Sequence, residues 1–211
     1  MAYLDDDAIP APDWLEILMA PFADEMVAAS TGKVVTPESR VDGPAGEPPR
    51  TLNNKKPQWF EIATFGGMGL GSNIALRRSA CIGWTVFDER LGRGAPFQIG
   101  EETYALAKLL SHGYSVVYLP AAVVTHPPLR RGSALQEARN SIAYSLVLFC
   151  AFPHQRLDLL AFLFRRLRGK PLTWPRDTQG PGDILRSNWK IKILAAFSAL
   201  FLFLRTRKPP R

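Results

Sequence analysis

The chain has 211 residues and a mass of 23.4 kDa, with 46% hydrophobic and 21% charged residues. This length and composition fit one ordinary core, or one domain with an appendage, and they exclude a largely disordered chain. The two cysteines, Cys81 and Cys150, lie far apart, which argues against a disulfide scaffold or a thiolate zinc site and suits a reducing compartment.

The net charge of +7 is unevenly distributed along the chain. Residues 1–126 carry 10 Lys/Arg against 15 Asp/Glu, whereas residues 127–211 carry 16 against 4. An acidic first part joined to a basic, apolar second part indicates an anionic partner. A membrane surface fits better than a nucleic acid, because the basic residues flank long apolar runs and are not interleaved with polar residues and exposed aromatics.

The first part of the chain alternates strand and helix patterns, which predicts an α/β layer architecture. The opening "AYL" is typical of the end of a buried strand, and Asp13 is expected to cap a helix over Trp14–Met19 that closes near Pro21. Residues 26–35 predict a strand because they are rich in β-branched and small side chains. From Thr36 to about Gln58, prolines and glycines recur without periodicity, which predicts a long loop.

Three further elements follow before residue 128. A glycine-rich stretch leads to a short strand over Asn73–Arg77, and "GEETYALAKLLSHGY" predicts a helix with acidic residues in its first turn and Gly113 at its C-terminal cap. The segment "YSVVYLPAAVVTHP" predicts a strand ended by Pro120 and a second extended run to His126.

Beyond residue 128, three apolar helical stretches carry basic residues at their flanks. The last contains twelve uninterrupted uncharged residues, 193–204, fewer than the about 20 that a membrane-spanning helix needs. We therefore expect a basic helix lying in the membrane interface, aided by Trp189. A buried core helix and a helix that packs on a partner are the alternatives.

Three groups of residues are candidates for chemistry. Asp5, Asp6 and Asp7 are hard oxygen ligands suited to Mg²⁺ or Mn²⁺, and Asp5 and Asp7, at alternate positions, can point to one side of an extended chain. Three acidic residues in a turn are, however, more often only solvated. One of Glu101 and Glu102 can serve as a general base, although the helix dipole alone favours acidic residues there. His126 can complete a metal site or be a satisfied structural histidine.

The order and spacing of these groups carry a resemblance to a known family. The successive segments "LDDDAIPAPDWLEIL", "VAASTGKVVTPE", "GSNIALRRSA", "FDERLGRGAP" and "GEETYALAKLLSHGYSVVYLPAAVVTH" resemble the family 2 glycosyltransferases of the GT-A fold. The resemblance covers residues 2–128. The later "ARN", residues 138–140, before an apolar stretch also looks like membrane-associated members of that family.

The resemblance implies transfer of a sugar from a nucleotide-diphosphate donor to an acceptor hydroxyl, with inversion at the anomeric carbon. It implies that Asp5–Asp7 hold Mn²⁺ or Mg²⁺ on the donor diphosphate, and that His126 approaches the metal as in some members. Glu102 is the implied base, where the family usually has aspartate, and its extra methylene displaces the carboxylate. The acceptor side is implied to be lined by Glu101 and by the family's glycine–serine–asparagine segment, here Gly69, Gly71, Ser72 and Asn73.

One departure from the family pattern concerns the front of the chain. The strand–helix–strand half that binds the nucleotide in the family has no counterpart before Asp5, so we expect a truncated enzyme that binds nucleotide-sugar poorly alone and has a separate nucleotide-binding half as a partner. We expect residues 1–128 to be the acceptor-side part of a GT-A domain and residues 129–211 to be a membrane-associating helical tail.

The expected location is the cytoplasmic face of the cell membrane, with a peripheral or monotopic attachment. The expected acceptor is a glycan or a lipid-linked sugar in envelope or surface polysaccharide synthesis, and no nucleic acid is expected as a partner. The alternative function is that of a non-catalytic remnant or partner subunit at the membrane.

Overall fold

The computed structural model describes residues 1–38, 48–128, 132–168 and 189–206. These residues divide into two compact units. The first unit comprises the described residues of 1–86 and 102–129, and the second comprises those of 87–101 and from 130 onward. The predicted α/β class is confirmed, because the first unit contains a curled sheet of mixed strand direction together with helices.

Six strands of the first unit form this sheet in the order β1-β5-β3-β6-β2, with β4 pairing the other half of β6. They are β1 (Ala2–Leu4), β2 (Ile9–Pro10), β3 (Val27–Val35), β4 (Arg50–Leu52), β5 (Asn73–Leu76) and β6 (Ser115–Thr125). Only β3 and β6 run parallel among these pairs, and the remaining pairs are antiparallel. The first unit also contains the helices α1 (Trp14–Met19), α2 (Trp59–Thr64) and most of α3 (Glu101–Ser111).

Helix α1 packs its apolar side on the sheet. Trp14 and Leu18 lie in one buried cluster with Ala75, Ala122 and Val124, and this cluster burial fixes the helix on β5 and β6. The predicted helix bounds are confirmed, but the predicted capping is wrong. Asp13 precedes the helix, but its side chain makes no hydrogen bond to the helix. Packing on the sheet therefore stabilises this short helix.

Strand β6 continues through Pro120, so the prediction of a strand ended there is wrong. Its pairing with β3 shifts register between Gly32 and Lys33, whose partners are Leu119 and Val123. The extra residues form a bulge, and a bulge is a place where a strand accommodates a proline without losing a ladder hydrogen bond.

Two further predictions for the sheet need correction. The loop predicted between Thr36 and Gln58 contains β4, which pairs antiparallel with β6, and residues 39–47 of that loop lie outside the described part. Strand β1 exists as predicted but is mostly exposed, because it lies at the end of the strand order and pairs only with β5 among the described residues. The strand over 26–35, the strand beginning at Asn73 and the helix ending before Gly113 are confirmed.

The second unit is helical. It contains α4 (Ala134–Ala151), α5 (Arg156–Leu167) and α6 (Trp189–Thr206), which confirms the three predicted helical stretches. Helices α4 and α6 pack against one another, and the small residues Ala195 and Ala199 are fully buried on α6. The turn-rich segment that begins this unit is held by an ion pair between Asp88 and Arg90 at 2.6 Å.

No single helix in the described part of the chain is long and apolar enough to cross a bilayer. Helix α4 and the following residues 153–167 together have the length and apolar composition of a membrane span, but the two segments are bent by 114° relative to one another.

Candidate metal centre

The three aspartates occupy a tight turn between two strands of the first unit. The amide of Ala8 donates a hydrogen bond to the carbonyl of Asp5 at 3.1 Å, which closes a four-residue turn. Leu4, just before the turn, and Ala8, its last residue, both pack against the buried cluster that contains Trp14 and Leu18. Both ends of the turn are also paired in the sheet, with Leu4 opposite Asn73 and Ile9 opposite Thr125. The turn is therefore anchored on both sides by the sheet and the core.

His126 follows directly after β6 and lies beside this turn. Its amide donates to the carbonyl of Val35 at 2.8 Å, so the end of β3 fixes its backbone. The side chain is buried, with 7% of the residue exposed. Because Thr125 pairs with Ile9, the register of β2 on β6 brings His126 next to residues that are far away in the sequence.

The imidazole of His126 contacts two of the aspartates through one nitrogen. Its Nε2 lies 3.2 Å from Oδ2 of Asp5 and 3.1 Å from Oδ1 of Asp7. One ligand atom from each of the three side chains can be chosen so that all lie within 4.8 Å of one another. Both carboxylates are about half exposed, with side-chain exposures of 50% and 57%, so solvent or a ligand reaches this group from one side.

The other imidazole nitrogen determines what Nε2 can do. Nδ1 of His126 lies 2.6 Å from the carbonyl oxygen of Pro127, and a carbonyl oxygen only accepts, so Nδ1 carries a hydrogen and donates it. In the neutral imidazole, Nε2 then presents a lone pair to two carboxylates. Either a proton on Nε2 or a cation shared by the three groups relieves this repulsion. A backbone carbonyl behind the distal nitrogen is the usual arrangement of metal-binding histidines.

The donor set fits a divalent cation with open positions. Two carboxylates and one neutral imidazole are ligands that Mn²⁺ accepts, and three protein ligands leave room for water or phosphate oxygens. Asp6, in the middle of the turn, is exposed and is not in the group. Of the three predicted aspartates, the structure thus brings Asp5 and Asp7 together with His126.

The predicted acceptor segment lies beside the metal group in the sheet. Ser72 directly precedes Asn73, which pairs with Leu4 next to Asp5. Gly69 has a φ of +87°, and a Cβ there would be 2.8 Å from Cβ of Thr31. Gly71 lies against Glu102, because a Cβ on Gly71 would be 3.4 Å from Cβ of Glu102. Gly71 and Glu102 are therefore neighbours in the first unit.

The side chain of Asn73 is engaged inside the fold. It is fully buried, donates through Nδ2 to the carbonyls of Ala122 at 2.7 Å and Lys33 at 3.0 Å, and accepts from Nε1 of Trp14 at 2.8 Å. It thereby bridges the bulge of β6, the shifted part of β3 and helix α1. A role for Asn73 in binding an acceptor stays a prediction, and the visible role of its side chain is structural.

The two glutamates at the start of α3 differ in surroundings. Glu102 belongs to the first unit, together with Gly71 and the metal group. Glu101 belongs to the second unit, where its carboxyl group packs against Gly92, and a Cβ on Gly92 would be 2.9 Å from Cδ of Glu101. Both side chains are partly exposed.

Sequence reasoning missed the importance of Gly32. A Cβ at this position would collide with the carbonyl oxygen of Ala122 and with Nδ2 of Asn73, so only glycine fits where the bulge is closed. The available signal was a single glycine inside a strand pattern, which often marks a bulge or a close backbone approach.

Comparison with known proteins adds no family assignment. The scan against models of protein families found no match, and the search of curated proteins found none either.

Proposed function

We propose that this chain belongs to an inverting, metal-dependent glycosyltransferase of the family 2 type, which moves a sugar from a nucleotide-diphosphate donor to an acceptor hydroxyl of a glycan or lipid-linked sugar. The observation that carries the proposal is the convergence of Asp5 and Asp7 on Nε2 of His126, with Nδ1 committed to a carbonyl. The motif order that resembles the family supports the same reading.

In this proposal Asp5, Asp7 and His126 hold Mn²⁺ or Mg²⁺. A cation bound there supplies positive charge against the negative charge that develops on the leaving diphosphate. The carbonyl of Pro127 accepts a hydrogen bond from Nδ1, so the neutral imidazole presents the lone pair of Nε2 to the two carboxylates.

Glu102 is the proposed general base. The acceptor oxygen forms a bond to the anomeric carbon, the bond from that carbon to the diphosphate oxygen breaks, and the hydroxyl proton passes to the carboxylate of Glu102. The packing of Gly71 against Glu102 supports this assignment, because it places the glycine–serine–asparagine segment beside the proposed base.

The metal part is tested by titrating the chain with Mn²⁺ and following the free ion by electron paramagnetic resonance, with and without UDP. Asp7→Asn removes a ligand and should weaken Mn²⁺ binding by at least about tenfold, the lower end of what supporting residues of metal sites contribute. Asp6→Asn is the matched control, since it removes the same charge from the same turn and leaves the three-residue group intact. Equal weakening in both variants would show that the turn attracts cations only by its charge.

The catalytic part is tested in a preparation with measurable sugar transfer. Glu102→Gln should lower turnover by about 10²- to 10⁴-fold, the usual contribution of a general base, with Mn²⁺ and UDP binding unchanged. Glu25→Gln, at an exposed glutamate of the first unit outside the proposed site, is the matched control and should retain the turnover. Retained turnover in Glu102→Gln would refute the assignment of the base.

A further inference from the structure

Helix α6 exposes an apolar face. Six large apolar residues of α6 are between 46% and 71% exposed. They are Ile193, Leu194, Phe197, Leu200, Phe201 and Leu204. Spacings of three and four residues place them on one side of the helix, while Ala195, Ala199 and Phe203 are buried on the other side. The solvent-facing side of a surface helix is normally polar. An exposed apolar face of this size is instead typical of a surface that binds a partner or a membrane.

Helix α5 repeats this arrangement on a smaller scale. Leu157, Leu160, Phe164 and Leu167 are between 50% and 81% exposed and follow one another at spacings of three, four and three residues. Leu159 and Phe162 are buried on the opposite side. The second unit therefore carries two helices whose inner sides are packed and whose outer sides are apolar.

Both faces end in arginines that lie over an aromatic ring of the same face. The guanidinium of Arg168 is 4.2 Å from the ring centre of Phe164, and that of Arg205 is 5.5 Å from the ring centre of Phe201. Residues 127–211 as a whole carry 16 Lys/Arg against 4 Asp/Glu. An apolar face bordered by cations is complementary to a bilayer surface with anionic headgroups, in which the apolar side chains reach the acyl boundary and the arginines remain at the phosphates.

We propose that the exposed apolar faces of α5 and α6, together called the membrane-binding surface, bind a bilayer containing anionic lipids. This surface is distinct from the metal group of the first unit, so it stands or falls independently of the proposed transferase activity. The apolar side chains supply most of the binding, and the arginines supply a preference for anionic lipid.

The test uses flotation of the full chain with vesicles of phosphatidylcholine alone, or of phosphatidylcholine with an equal part of phosphatidylglycerol. The chain should float with the anionic vesicles and less with the neutral ones. The triple variant Phe197→Ser, Leu200→Ser and Phe201→Ser should lose at least about 100-fold in partitioning, because each of these side chains gains on the order of tenfold or more on full burial. Arg205→Gln should lose about fivefold on anionic vesicles only.

Leu15→Ser is the matched control, because Leu15 is a helical residue of the first unit with 52% exposure. It should bind vesicles like the unaltered chain, and far-ultraviolet circular dichroism should show the same helix content in all variants. Unchanged vesicle binding in the triple variant would overturn the proposal. A second outcome would also overturn it. If neither vesicle type binds the unaltered chain, and if this chain self-associates in ultracentrifugation while the triple variant does not, the partner of these faces is a second copy of the chain.

Discussion

Replacing Asn73 by alanine should destabilise the first unit strongly, although it changes one small side chain. The substitution removes the partner of the Trp14 indole N–H and of the Ala122 carbonyl, both in buried hydrogen bonds, and of the partly buried Lys33 carbonyl. Each fully buried group left without a partner costs about 1–3 kcal/mol, and the third costs less because water can reach it. The two buried groups alone should lower the free energy of unfolding by about 2–6 kcal/mol, a large part of the typical total of about 5–15 kcal/mol.

Urea unfolding followed by tryptophan fluorescence measures this loss, since Trp14 is buried and contacts the altered residue. Trp14→Phe, followed by circular dichroism because it lacks the fluorescent reporter, breaks one of the three hydrogen bonds and leaves only Oδ1 of Asn73 without its donor. It should therefore cost less than Asn73→Ala. Asn54→Ala, at an exposed asparagine, is the matched control and should change stability by less than about 0.5 kcal/mol. An Asn73→Ala variant as stable as this control would refute the structural role and return Asn73 to the acceptor-binding hypothesis.

Two further predictions concern backbone geometry and thiol reactivity. Gly69→Ala should destabilise the fold more than Gly83→Ala. Both glycines have a φ near +88°, but only at Gly69 would a Cβ lie within 3 Å of Thr31. In chemical denaturation, the free energies of unfolding of the two variants should differ by about 1–3 kcal/mol because of this overpacking. Burial raises the pKa of the Cys81 thiol, so its thiolate fraction at a given pH is reduced. Iodoacetamide at mildly alkaline pH should therefore modify exposed Cys150 before Cys81, and the rate at Cys81 should increase further as the pH rises. Equal modification rates for the two cysteines in peptide mass spectrometry would contradict this.

Several parts of the architecture followed from local patterns. The helix bounds of α1, the helix ending before Gly113 and the strand β3 depend on periodicity, glycine and β-branched composition within each segment, and these were predicted correctly. The acidic turn was recognised as a candidate ligand group because carboxylates after a strand are visible in the sequence. The apolar helices of the second unit were equally visible, since their character does not depend on a partner.

The errors arose where a long-range contact outweighed the local signal. Pro120 reads as a strand end, yet β6 continues because its bulge is filled by the side chain of Asn73 from another strand. Strand β4 lies in a stretch rich in proline and glycine. It forms because it pairs with the first half of β6, residues 116–118, whereas β2 pairs with residues 124 and 125. Asp13 has the right residue type for a cap, but packing of Trp14 and Leu18 sets the helix without it.

The kinds of element, the acidic turn, the uneven charge and the apolar helices are visible in the sequence, because each is a property of neighbouring residues. The tertiary fold sets the distances at the site: Nε2 of His126, 121 residues beyond Asp5, lies 3.2 Å from Oδ2 of Asp5 and 3.1 Å from Oδ1 of Asp7. These distances follow from the register of β2 on β6 and from the closure of the bulge by Asn73, and neither depends on the residues adjacent to the site in the chain.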